Sequence, residues 1–206
     1  MGRRVRYHQV VNSFMLRSAS LLGALMLTGV LLFPQDAGNP AGPKKSVPHV
    51  TIGKAAPRPE DVSTIDGMIK AYYEVVSGPA GQPRQWDRDA TLYIPNVRFV
   101  IVSEDGTGKT TAVSMSHQEF VDMSEASMGG KAFYEHEIHR ITQRAGNIAH
   151  VFSTAERSSS PDGKVEGRGI DSIELFWDGK RWWITGANLW DLNTTKHPLP
   201  AEFLPK

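Results

Sequence analysis

The segment SEDGTGKTTAV, residues 103–113, has the glycines and the lysine–threonine pair that are typical of a phosphate-binding loop. Such a loop follows the pattern G-x-x-x-x-G-K-[ST], because several backbone amides must converge on the phosphates at the start of a helix. Counting back from Gly108, the position of the first glycine holds Ser103, and the residues after Lys109 are largely β-branched. The segment therefore predicts a turn between two strands of a hairpin, and we predict no nucleotide site there.

Two histidines and two glutamates lie within six residues in YEHEIH, residues 134–139. Because alternate side chains of a strand face opposite sides of a sheet, His136 and His139 are expected on different faces. Ligands that face apart cannot hold one ion, so the run predicts no metal site. His136, and His150 on the next predicted strand, are candidate partners for a carboxylate instead.

Asp171 lies in GIDSIELFW, residues 169–177, which has the alternation of a strand. It shares parity with three apolar residues of the run, so its carboxyl group is expected at the edge of the core. Burial raises the pKa of a carboxyl group towards the range of a general acid or base. Two interpretations stay open. Asp171 is a catalytic residue with His136 as its partner, or it is a structural residue that Arg168 or backbone amides hold.

Aromatic side chains are numerous in the predicted helices and strands. They either fill the core or line a pocket, where tyrosine hydroxyl and tryptophan N–H groups orient a ligand. For the pocket interpretation, the candidate ligand-binding residues are Tyr72, Trp86, Tyr93, His150 and Trp190.

The composition excludes several classes of function. The chain of 206 residues has no cysteine, which excludes disulfides, thiol nucleophiles and cysteine-bound metals. A net charge of +1 gives no argument for a nucleic-acid partner. We therefore predict a protein that uses no metal, no cofactor and no nucleic acid.

Residues 1–34 have the pattern of a targeting segment. A basic stretch without acidic residues precedes the apolar run ASLLGALMLTGVLLF at 19–33, which Pro34 ends. This order is typical of a secretory signal peptide, and an uncleaved membrane anchor is the alternative. We predict an exported protein, periplasmic or secreted, that contacts a membrane only through this segment.

A linker and one folded domain are predicted after the targeting segment. Residues 35–59 are rich in proline, glycine, alanine and lysine, which predicts a flexible linker. The domain spans residues 60–206. Helical spacing predicts a helix over 61–79 with its cap at Asp61 or Ser63, and SHQEFVDMSEASMGG predicts another with Ser116 as its N-cap.

The remaining elements decide the fold class. A short helix at QPRQWDRDA and a strand at LYIPNVRFVIV lie between the two long helices. Four strand-like runs joined by turn residues end the domain: KAFYEHEIHRITQ, NIAHVFSTAERSS, EGRGIDSIELFW and RWWITGANLWDL. Helices followed by an antiparallel meander predict the α+β class rather than alternating strands and helices.

This order of elements, with WDRDATLYIP, GNIAHVFSTAE and DGKRWWI, resembles the nuclear transport factor 2-like superfamily. That superfamily includes SnoaL-like polyketide cyclases, ketosteroid isomerases and scytalone dehydratase, and the resemblance covers residues 60–193. It implies a strongly curved antiparallel sheet wrapped on N-terminal helices. It also implies a cone with an apolar pocket at its open end, and homodimers that form through the outer face of the sheet.

The resemblance also bears on the reaction. Ketosteroid isomerases carry a general-base aspartate directly after an A-T-hydrophobic run, and here Ile94 stands at that position and cannot take a proton. Their first-helix tyrosine has a counterpart in Tyr72 or Tyr73. Chemistry like that of scytalone dehydratase would need a histidine–aspartate pair, for which His136 or His150 with Asp171 is the candidate.

Two hypotheses for the function follow. The first is an exported SnoaL-like protein that binds a small, largely apolar molecule, with or without acid–base chemistry of the isomerase, dehydratase or cyclase type. The second is a non-catalytic dimerisation or partner-binding module outside the cytoplasmic membrane.

Overall fold

The computed structural model of the chain describes residues 47, 49–105, 107–190 and 198–206, with Trp190 as backbone only. The predicted signal peptide or anchor, residues 1–34, lies outside the described residues, as does the first part of the predicted linker. None of the helices that the structure describes has the length and apolar character needed to span a lipid bilayer.

The helices differ from the predicted ones mainly at their ends. Thr64 has an extended backbone and its side chain accepts a hydrogen bond from the Gly67 N–H at 2.9 Å, so it is the N-cap instead of Asp61 or Ser63. The helix predicted over 61–79 is therefore two helices. The α-helices in the described part of the chain are α1 (Pro59–Val62), α2 (Ile65–Val76), α3 (Trp86–Asp89) and α4 (His117–Met128).

Six strands form one sheet in the order β2-β1-β6-β5-β4-β3. The predicted meander of the last four strands and the α+β class are confirmed, but β1 pairs with β6 in parallel, so the sheet is not wholly antiparallel. The strands are β1 (Tyr93–Glu104), β2 (Thr110–Ser116), β3 (Tyr134–Ala145), β4 (Ile148–Ser158), β5 (Gly167–Trp177) and β6 (Trp182–Trp190).

The glycine-rich segment forms the turn of the β1–β2 hairpin, as predicted. The Asp105 carboxylate accepts hydrogen bonds from the Thr107 hydroxyl at 2.6 Å and from the N–H groups of Thr107 and Lys109 at 2.8 and 3.1 Å, and these bonds hold its pKa below the usual range. Gly108 has a φ of +87°, a conformation that L side chains rarely adopt. Gly106 lies outside the described residues.

A β-bulge in β3 changes the predicted orientation of its histidines. Glu137 pairs with Ala155 and His139 with Thr154, which leaves Ile138 without a partner in register. The extra residue places His136 and His139 on the same face of the sheet. The prediction of opposite faces is therefore wrong, because simple alternation fails across a bulge.

Helices α2 and α4 pack on one face of the sheet, called the inner face here, and form the core with it. The Tyr73 hydroxyl of α2 contacts Ser153 and Asp171 on this face, and Phe120 of α4 stacks on Phe99 of β1 with ring centroids 4.2 Å apart. The end of the predicted linker also packs on α4. The Val50 N–H donates to Asp122 at 2.8 Å.

The C-terminal segment, residues 198–206, lies on the other face of the sheet, called the outer face. It contains a short 3₁₀ helix, Ala201–Phe203, that contacts β3 and β4. The Thr154 hydroxyl donates to the Phe203 carbonyl at 2.7 Å, and Phe152 meets the Phe203 ring edge-on with centroids 5.2 Å apart. The segment therefore covers part of the outer face.

Candidate functional site

A cavity of about 400 Å³, called the α4 cavity here, lies between α4 and the inner face of the sheet. One wall is a stripe of α4 residues that recur at spacings of three and four: Phe120, Met123, Ser124, Ser127 and Met128. The opposite wall includes Ile101 of β1 and Leu189 of β6. The walls are largely apolar, as in most sites for small molecules.

Three ionisable side chains also line the α4 cavity: Glu135 of β3, Arg157 of β4 and Asp171 of β5. Asp171 is 8% exposed, as its parity with the apolar residues of β5 predicted. Arg168, a candidate for holding Asp171, pairs with Glu156 instead. A buried carboxyl group in a mostly apolar cavity is the feature that marks this cavity as the candidate site.

Tyr73 connects Asp171 to the interior of the domain. Its hydroxyl lies 2.8 Å from the Ser153 Oγ and 3.2 Å from the Asp171 Oδ2, and it has one hydrogen to donate to either of them. Ser153 Oγ donates in turn to Glu137 Oε1 at 2.5 Å. A continuous polar chain therefore runs from Asp171 through Tyr73 and Ser153 to Glu137.

The far end of this polar chain reaches the surface. Arg140 donates to both carboxylate oxygens of Glu137, at 2.8 and 2.6 Å, and to the exposed Asp66 at 2.5 Å. The hydrogen bonds to Glu137 raise the pKa of Arg140 above its usual value. Arg140 is therefore charged, and its two hydrogen bonds fix the position of Glu137, which accepts from Ser153.

Burial raises the pKa of both Tyr72 and Tyr73 well above 10, and the nearby Asp171 raises them further. Both hydroxyls are therefore neutral at physiological pH. The Tyr72 hydroxyl is buried near Asp171, yet no described group meets it with hydrogen-bond geometry. Tyr73, rather than Tyr72, is thus the tyrosine that donates in the polar chain.

The structure does not bring a predicted histidine to Asp171. His136 is 57% exposed on the outer face, where its nearest acid is Glu156 at 3.9 Å. His150 is also on the outer face and lies 3.0 Å from the Ser172 hydroxyl. The predicted pair of Asp171 with His136 or His150 is therefore wrong, because the sheet separates the side chains.

The predicted aromatic residues have other positions. Tyr72 and Trp86 are buried in the core, and the Trp86 Nε1 donates to Glu125 at 2.6 Å. The Tyr93 hydroxyl donates to the buried Asp89 at 3.0 Å. None of these three lines the α4 cavity. The side chain of Trp190 lies outside the described residues.

The sequence interpretation missed several residues of the site. The stripe on α4 was visible, because its members follow the helical period of 3.6 residues. Arg157 and Glu135 gave no such signal, since they belong to strands whose register depends on the fold. In the described part of the chain, no group of three or more histidine, aspartate or glutamate side chains is placed to hold a metal ion.

Comparisons with known proteins find similarity in structure. No protein-family model and no curated protein matches the sequence. A protein of unknown function with a cystatin-like fold from Nostoc punctiforme is 11% identical, with a TM-score of 0.44 over 66% of this chain and 98% of that one. A nuclear transport factor 2-like protein from Cytophaga hutchinsonii is 12% identical, with a TM-score of 0.35 over 51% of this chain and 80% of that one.

A third similar structure, from Parabacteroides distasonis, carries the provisional name of a ketosteroid isomerase. It is 14% identical, with a TM-score of 0.40 over 62% of this chain and 87% of that one. All three structures are similar to this chain at identities below 15% and TM-scores below 0.5. At this level of similarity they indicate no ligand and no reaction for this chain.

Proposed function

We propose that the α4 cavity binds a small, largely apolar molecule that carries a polar oxygen at one end. The observation that carries the proposal is the buried Asp171, which lies in an otherwise mainly apolar lining and is hydrogen-bonded by Tyr73. The apolar body of the ligand would replace water against α4. Its oxygen would meet Asp171, because a polar group left unpaired in such a site costs binding energy.

The polar chain supports acid–base chemistry on the bound molecule. Asp171 can take a proton from the ligand or give one to it, and successive hops along the Tyr73 and Ser153 hydroxyls would carry that proton to or from Glu137. Each hydroxyl accepts one proton and releases another. Both hydroxyls are therefore neutral again after the transfer, and only the direction of their hydrogen bonds has changed. Isomerase-, dehydratase- or cyclase-like reactions all need such a group.

Calorimetric titration with 2-naphthol, an apolar bicyclic molecule with one hydroxyl group, tests the binding proposal. Met123→Trp places an indole in the α4 cavity and should abolish binding. Asp171→Asn should weaken binding about tenfold, because the charged acceptor for the ligand hydroxyl is lost. Glu174→Gln is the matched control on the exposed face of the same strand and should have no effect.

Unchanged binding in a folded Met123→Trp variant would contradict a site in the α4 cavity. If neither 2-naphthol nor related apolar alcohols and ketones bind the unmodified chain, the partner-binding module becomes the better description. Near-ultraviolet circular dichroism of each variant shows whether its tertiary structure is intact.

A further inference from the structure

A buried histidine–aspartate pair lies away from the α4 cavity. Asp89 of α3 is fully buried, and its Oδ2 lies 2.6 Å from the Nε2 of His117, the first residue of α4. Its other oxygen accepts from the Tyr93 hydroxyl at 3.0 Å. The carboxylate therefore fixes the orientation of the imidazole ring. The His117 Nδ1 has no hydrogen-bond partner among the described residues.

His117 faces a second cavity of about 680 Å³, called the β1–β6 groove here. The pairing of β1 with β6 passes from Tyr93–Ile184 to Arg98–Gly186, so four residues of β1, 94–97, stand opposite the single residue Thr185. The regular pairing of the two strands is therefore interrupted at the residues of β1 that line the groove. One wall of the groove is apolar and consists of Ile94, Pro95 and Val97. A second wall comes from the segment at residues 53–57. No described residue lines both this groove and the α4 cavity.

Arg181 lines the same groove and has no carboxylate partner. Its guanidinium stacks on the Trp183 indole, 3.7 Å from the ring centroid, and donates to the carbonyl oxygens of Trp182 and Thr91. It forms no ion pair with a described residue; the nearby Asp178 carboxylate accepts from the Trp183 Nε1 at 2.7 Å and acts on the Arg181 charge only at longer range. Burial lowers the pKa of Arg181, as expected for a partly desolvated cation.

We propose that the β1–β6 groove is a second binding site, for a small molecule with one carboxylate on a planar apolar body. A carboxylate has two oxygens that accept hydrogen bonds, one from the fixed guanidinium of Arg181 and one from the Nδ1–H that His117 carries when its ring is protonated on both nitrogens. A planar body would pack between the Trp183 ring and the wall at Ile94 and Pro95. Lys54 and Asp87 are exposed at this groove and offset each other in charge.

The proposal does not depend on the function of the α4 cavity, and its test uses the full chain. We expect saturable binding of benzoate in a calorimetric titration, and binding of the neutral isostere benzamide that is weaker by about tenfold or more, because only benzoate satisfies the charge of Arg181. Benzoate should also shift the indole N–H resonance of Trp183 in a nitrogen–proton correlation spectrum. Equal binding of the two compounds, or no saturable binding of benzoate, would overturn the proposal.

Three arginine variants locate the bound benzoate. Arg181→Gln should weaken binding about tenfold. The matched control is Arg144→Gln, since Arg144 also stacks on a tryptophan, Trp182, at 4.9 Å, but lies outside the groove. Arg157→Gln removes the arginine of the α4 cavity. Loss of binding in Arg157→Gln with intact binding in Arg181→Gln would overturn the proposal, because benzoate would then occupy the α4 cavity.

Histidine variants test the other side of the groove. His117→Gln keeps a side-chain donor for Asp89 and removes the imidazole, so it should weaken benzoate binding, whereas His136→Gln on the outer face should not. Unchanged binding in His117→Gln would remove His117 from the site. If Arg181→Gln fails to fold, Arg181→Lys keeps the charge without the planar guanidinium. The Trp183 shift and the benzoate–benzamide comparison need no variant.

Discussion

At the scale of single residues, the buried tyrosines give a prediction for alkaline pH. Burial raises the pKa of Tyr72, Tyr73 and Tyr93 well above the ordinary tyrosine value of about 10. These pKa values lie above those of the same tyrosines in the unfolded chain. The stability that these groups contribute to the folded domain is therefore fully present below about pH 10, and it is lost as the pH rises further, because the unfolded chain releases these protons first. We expect these three tyrosinates to form only when the domain unfolds.

An absorbance titration at 295 nm, followed in parallel by far-ultraviolet circular dichroism, checks this prediction. The chain has five tyrosines, so a large fraction of the tyrosinate signal should arise together with the loss of secondary structure. Tyr73→Phe should remove one part of that late signal. Tyrosinate formation centred near pH 10 with intact circular dichroism would contradict burial of the three hydroxyls.

At the scale of elements, an ion pair holds the short helices together. Arg88 of α3 donates to both oxygens of Asp61 in α1, at 2.8 and 2.7 Å, and to Glu74 of α2 at 2.9 Å. The Arg88 and Asp61 side chains are only 10% and 4% exposed. The hydrogen bonds from Arg88 to Asp61 raise the pKa of Arg88 above its usual value. The three helices therefore share one charge cluster, which is buried at Arg88 and Asp61 and partly exposed at Glu74.

Removing one partner of this pair should destabilise the domain strongly. We expect Asp61→Asn to lower the free energy of unfolding by about 3 kcal/mol, the low end of the cost of breaking a buried ion pair, because Arg88 keeps the partly exposed Glu74 as its counter-charge. The double variant Asp61→Leu with Arg88→Met should recover much of this loss. Lys70→Gln, which breaks an exposed ion pair with Glu74, should cost less than about 0.5 kcal/mol.

Urea denaturation of these four proteins measures the differences in unfolding free energy. If Asp61→Asn lowers the free energy of unfolding no more than Lys70→Gln does, then the Asp61–Arg88 pair contributes as little to stability as an exposed ion pair. If the double variant is less stable than Asp61→Asn, the hydrogen bonds of the pair stabilise the domain beyond the need to balance a buried charge.

The helices and strands were easier to predict than the site, because they depend mainly on residues that are close in sequence, whereas the site depends on contacts between distant residues. The α4 helix follows from local signals, since Ser116 and Glu119 form the predicted capping box and Gly129 ends the helix with a φ of +55°. The inward position of Asp171 follows from strand alternation. The bulge in β3 depends on pairing with β4, which no local pattern specifies, so the expectation of opposite faces for His136 and His139 is wrong.

Site residues contributed by several elements were the hardest to predict. Asp89 and His117 are separated by 27 intervening residues, and only the packing of α3 beside the start of α4 joins them. The parallel pairing of β1 with β6 is equally long-range. Export stays a prediction, because residues 1–34 lie outside the described part of the chain.

At the scale of the whole molecule, the outer face of the sheet bears on the expected homodimer. Thr154 and Ile170 are paired on this face and are 0% and 8% exposed. The Thr154 hydroxyl is held by the Phe203 carbonyl, and Phe203 packs on Phe152. A second copy could reach the centre of this face only after residues 198–206 leave it.

We therefore expect the full chain not to dimerise through this face, and expect a chain that ends at residue 197 to do so. The truncation uncovers apolar side chains, and burying them against a second copy is favourable by about 25 cal/mol per Å² of apolar surface.

Sedimentation velocity over a range of concentrations measures the dimer fraction of both chains, which keep the same N-terminus. Phe152→Glu in the truncated chain should abolish the dimer, because it places a charge in the contact. A folded truncated chain that stays monomeric wherever the full chain does would show that the outer face is not a dimer surface, and that residues 198–206 stabilise the fold rather than block association.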